Sequence, residues 1–83
     1  MLAGTVLLLL LTTPAAAQSA RLKNIQLCNG ADRTSFEPQI KGCTALIAAG
    51  NETARIVAVA YNNRGNAYVR RGDFERAIQD YDQ

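Results

Sequence analysis

The sequence predicts an all-α protein built from antiparallel helix hairpins, on three observations. Apolar residues recur at helical spacing through the last third of the chain. A Gly72-Asp73 pair interrupts them, and an apolar face of the same spacing returns about one 34-residue period earlier.

From Thr53 to Arg71, the residues Ile56, Ala60, Tyr61, Ala67 and Tyr68 share one side at helical spacing, which predicts an amphipathic helix. Gly72 tolerates left-handed backbone angles just past its end, and Asp73 is a good N-cap for a following helix. The turn is therefore tight and the two helices antiparallel. In the second helix Phe74, Ala77, Ile78 and Tyr81 fall at i, i+3, i+4 and i+7. Gly65 and Ala77 are the small residues that let the two backbones approach, with Tyr61, Tyr68, Phe74 and Tyr81 filling the space around them.

The spacing of Tyr61, Arg64-Gly65, Tyr68, Ala77 and Tyr81 resembles the tetratricopeptide repeat (TPR), a helix-turn-helix unit of about 34 residues. The resemblance covers residues 58–83. Arg64 departs from it, since a Leu is usual before the Gly; an Arg there is expected to lay its stem on apolar surface and keep its head in water. The resemblance implies hairpins stacked as the start of an αα-superhelix, a TPR-like solenoid. It also implies a non-catalytic protein-protein interaction scaffold. The first helix of each repeat would line a concave groove for a protein or extended peptide, and further repeats are expected after Gln83. Asn62, Asn66 and Arg70, at i, i+4 and i+8 and flanked by Val59 and Val69, are the candidate partner-binding residues. Asn offers a donor and an acceptor to a peptide amide, and Arg can fork onto a carboxylate. The last helix would leave an apolar face for self-association.

One period earlier, Phe74, Ala77 and Tyr81 correspond to Ile40, Cys43 and Ile47, and Tyr61 corresponds to Leu27. Residues 18–50 therefore read as a degenerate capping hairpin, with 51–83 as the first regular repeat, truncated at its end. The first helix of that cap is expected to be short, about Leu22 to Cys28. Thr34 or Ser35 would cap its second helix and Gly50-Asn51 would end it. Gly65 and Tyr68 correspond to Ala31 and Thr34, so that half of the signature is lost.

Leu2 to Leu11 form an apolar run, followed by Thr12-Thr13-Pro14 and Ala15-Ala16-Ala17. This reads as a secretory signal over residues 1–17, cleaved near Ala17, although no Lys or Arg precedes Arg21. The run is about half of the 20 apolar residues that a span needs, so no stable membrane span is expected after cleavage. The mature protein would be periplasmic or secreted, a piece of about 66 residues that buries little surface on its own. In an oxidising compartment Cys28 and Cys43 read as a disulfide. Closing that loop contributes about 3 kcal/mol by the chain-entropy estimate.

The chain has nine Lys/Arg and seven Asp/Glu, a net charge of +2, and no clustered basic face of the kind that binds nucleic acid. It has no His and no Trp, and its two thiols cannot fill a tetrahedral zinc site. No catalytic constellation is present, so no enzyme activity, cofactor or metal is expected. Asp73 and Glu75 suit the first turn of a helix, and Asp80 and Asp82 read as solvated surface. The alternative is a small secreted, disulfide-stabilised helical inhibitor or effector, complete in itself.

Overall fold

The computed structural model describes residues 14–31 and 35–83. Four helices lie in them: α1, Pro14–Cys28; α2, Glu37–Ala49; α3, Ala54–Arg71; and α4, Phe74–Tyr81. Each helix packs on the next, and α1 also reaches α3. The result is two stacked hairpins, α1–α2 and α3–α4, as the sequence predicts. The apolar run Leu2 to Leu11 and the candidate cap Thr34 lie outside the described residues. Among the described residues no helix is long and apolar enough to cross a membrane.

The helix ends follow local chemistry. Gly30 and Gly72 adopt φ of 83° and 86° just past α1 and α3. After α3, Gly72 N–H donates to the Val69 carbonyl at 2.9 Å and Asp73 N–H to the Tyr68 carbonyl at 2.8 Å. Gly30 and Ala31 repeat the arrangement on Leu27 and Gln26, so both first helices close with the same glycine-dependent motif. The Thr53 hydroxyl accepts from Ile56 N–H at the start of α3, and the Asp73 carboxylate accepts from Arg76 N–H at the start of α4. At α2 the boundary residue is Phe36, which has no capping group; Ser35 instead accepts from Glu37 N–H at 3.3 Å.

Two expectations need correction. The helix α1 begins at Pro14, not near Leu22. Proline fits the first helical position and Ala15 to Ala17 are strong helix formers, yet residues 14–20 are exposed on all sides and show no apolar stripe. The second is where α1 falls within the period of about 34 residues. Cys43 of α2 and Ala77 of α4, one period apart, are both buried. The loop between α1 and α2 is longer than the Gly72-Asp73 turn, however, so α1 is displaced from the place that the period gives it.

The core of the first hairpin is Cys28, Cys43, Leu46 and Ala60, with Ile25 and Ile47 packed against it. A disulfide joins Cys28 to Cys43, whose Cα atoms are 4.5 Å apart. Beside it Gly42 permits the closest approach of α1 and α2: a Cβ there would stand 2.7 Å from Leu27 Cβ and 2.8 Å from the Asn24 carbonyl oxygen. In the second hairpin the close approach is made by Gly65 of α3, where a Cβ would stand 2.6 Å from the Tyr81 ring. The small residue has thus moved from the first helix to the second, which is why Gly65 has no glycine counterpart in α1.

Candidate partner-binding site

The helix α3 is sandwiched, and its faces have different duties. Ala60 and Ala67 are buried, Gly65 lies under the Tyr81 ring, and Tyr61 and Tyr68 are half-buried. Ala77 faces them from α4 and is buried. Phe74 and Tyr81, expected to help fill the hairpin, are 61% and 45% exposed instead, and Ile78 beside them is 61% exposed. The short helix α4 turns only part of its apolar surface toward α3.

Arg64 does not keep its head in water. Its Nε and Nη2 donate to both Asp80 carboxylate oxygens at 2.7 and 2.8 Å, and its Nη1 donates to the Thr44 hydroxyl at 3.1 Å. The guanidinium also lies over the rings of Tyr61 and Tyr68, 5.4 and 5.9 Å from their centroids. Asp80 is correspondingly buried at 5% exposure rather than solvated. The Asp80 hydrogen bonds hold the Arg64 pKa above its ordinary value, with burial acting the other way. A cation with a raised pKa adds stability below its unfolded value and loses it only above its folded one. Arg64 therefore stays charged across the pH range in which proteins are handled. Arg21 pairs with Glu52, and Arg71 with Glu37 and Asp73.

The three predicted binding residues share the outer face of α3. Asn62, Asn66 and Arg70 are all exposed. Two of them are held from within. The Tyr81 hydroxyl donates to Asn66 Oδ1, and Arg70 Nη1 donates to Gln39 Oε1 at 2.9 Å. Gln39 is buried and its amide nitrogen donates to the Cys28 carbonyl at 3.0 Å, so Arg70 is braced against α2 and the end of α1. Asn66 keeps its NH₂ donors and Arg70 most of its five, while Asn62 is open to solvent.

Two further elements of this face were not read from the sequence. Arg55 extends the stripe toward the helix start past Val59, since Arg55, Val59, Asn62, Asn66 and Arg70 follow at i, i+4, i+7, i+11 and i+15. Counting seven residues back from Asn62, about two helical turns, reaches Arg55. The second is the opposing wall. A cleft of about 250 Å³ separates α1 from α3, lined by Ile25, Leu46, Ile56, Val59 and Ala60 among others. Beside it Asn63 of α3 donates to Asn29 Oδ1, at the end of α1, at 3.2 Å. That wall depends on where α1 runs, which its own residues do not announce.

No curated protein and no solved structure matches the chain. Residues 58–83 match the family model of the tetratricopeptide repeat. They include half-buried Tyr61 and Tyr68, Gly65 with the Tyr81 ring over it, and buried Ala77. It is this segment, residues 58–83, that is similar to a tetratricopeptide repeat.

Proposed function

We propose that the chain is an exported, non-catalytic scaffold that holds a protein or extended peptide on the face of α3 presenting Asn62, Asn66 and Arg70. The observation that carries this reading is the exposure of all three on the first helix of the matched repeat. Arg70 and Asn66 are braced by Gln39 and Tyr81, so they meet a partner partly pre-ordered, which lowers the entropy lost on binding. A protein fits better than a nucleic acid, because Arg21, Arg64 and Arg71 are engaged in internal ion pairs. The Cys28–Cys43 disulfide favours an oxidising compartment, and with the leader reading it supports a periplasmic or secreted protein cleaved near Ala17.

In the same reading residues 18–50 cap the array and 51–83 form its first regular repeat. The exposed stripe of Phe74, Ile78 and Tyr81 is then the face on which a further hairpin, or a second copy of the chain, stacks. The test is charge reversal on the groove. A partner fixed by crosslinking in the native compartment and identified by mass spectrometry should bind Arg70→Glu at least about ten-fold more weakly, a loss of about 1.4 kcal/mol. The far-UV circular dichroism of the variant should be unchanged. Equal affinity for variant and wild type would remove this face from the function.

A further inference from the structure

The cleft between α1 and α3 says more about the occupant than the polar stripe does. Ile25 stands on one side, Ile56, Val59 and Ala60 on the other, and Leu46 of α2 lies at its base. Val59 is 49% exposed, so apolar surface opens to solvent there. No carboxylate lines the cleft, and Arg55 stands at its rim. Among the described residues Arg55 has no ion pair, in contrast to Arg21, Arg64, Arg71 and Arg76. Arg70, farther along the same stripe, is bonded to an amide and to no acid. The face is thus an apolar slot flanked by two uncompensated cations.

Size narrows the occupant. At about 250 Å³ the cleft falls below the roughly 300–1,000 Å³ of pockets that enclose whole small molecules, and it suits one bulky side chain. Spacing sets a register. Arg55 and Arg70 are about 22 Å apart along α3 at about 1.5 Å per residue, a distance that roughly seven extended residues cover. The slot, at Ile56 to Ala60, lies within about one turn of Arg55.

We infer that the partner, on the scaffold reading above, is an acidic segment that seats one large aliphatic or aromatic side chain in the α1–α3 cleft. One carboxylate next to that side chain meets Arg55, and a second, about six positions along the segment from the first, meets Arg70. The apolar contact supplies affinity, and the two guanidinium forks set direction and register.

The probes are fluorescein-labelled heptapeptides measured by anisotropy against the oxidised 83-residue chain: Glu-Phe-Ser-Ser-Ser-Ser-Glu, the same peptide with Phe replaced by Ser, and one with both Glu replaced by Lys. The Phe peptide should bind at least ten-fold tighter than its Ser counterpart, and the Lys peptide should not bind. Val59→Asp, at a half-exposed position, should erase the Phe preference, and Arg55→Glu should weaken the acidic peptides several-fold. Equal binding of the Phe and Ser peptides, with Arg70→Glu weakening both, overturns this inference and leaves the scaffold reading standing. Failure of all three peptides to bind, with a mass that rises with concentration in sedimentation, overturns it in favour of a second copy on this face. If the peptides bind and Arg70→Glu alters none of them, the scaffold reading falls with it.

Discussion

Arg64 stands where the repeat family usually has leucine, and its guanidinium reaches Asp80 on α4 and Thr44 on α2. Removing one member of a buried pair leaves the other charge without compensation, whereas removing both for apolar groups is often neutral. Arg64→Leu and Asp80→Leu should therefore each cost about 1–3 kcal/mol, the lower end allowing for the part of Arg64 that water still reaches. The double variant should recover most of that loss. Urea unfolding of all four proteins closes the cycle, and additive losses would show that the pair is not a unit. This pair marks a limit of sequence reading. Helical rules relate residues three or four apart, while Arg64 and Asp80 meet across a turn, so each was assigned to water on its own.

At the scale of elements, the two hairpins solve close approach with glycines of different tolerance. Beside Gly42 the atoms that a Cβ would meet include the Asn24 carbonyl oxygen at 2.8 Å and the Cys28 nitrogen at 2.9 Å, which belong to the backbone of α1. Beside Gly65 they belong to the Tyr81 side chain, at the end of the last helix. A ring can swing aside; a disulfide-pinned helix cannot. Gly42→Ala should destabilise by about 2–3 kcal/mol and Gly65→Ala by about 1 kcal/mol, both within the usual range for overpacking. Thermal melts under oxidising conditions rank the two, and the reverse order would contradict the packing described for α1. The second hairpin was legible because its signature residues are local: cap, glycine turn and small-residue contact all lie within one repeat. The start of α1 was not, because an exposed alanine-rich helix leaves no hydrophobic period to read.

For the whole molecule, the first hairpin depends on one covalent tie. The core it shares with α3 is small, its largest fully buried side chains being the two cysteines themselves. Cys28→Ala with Cys43→Ala should lower stability by about 3 kcal/mol, the loop-closure value for a separation of 15 residues. Denaturant unfolding of the oxidised protein and the double variant measures it, and a difference below about 1 kcal/mol would mean that packing alone holds α1. The same tie reaches the outer face of α3. From the Cys28 carbonyl a polar relay runs through buried Gln39 to Arg70, three groups that connect the disulfide of one hairpin to an exposed cation of the next. Loosening the end of α1 should therefore be felt on the far side of α3. In the double cysteine variant the Arg70 side chain should become more mobile by NMR relaxation along with the first hairpin, and unchanged Arg70 dynamics would show that the relay carries no strain between the two.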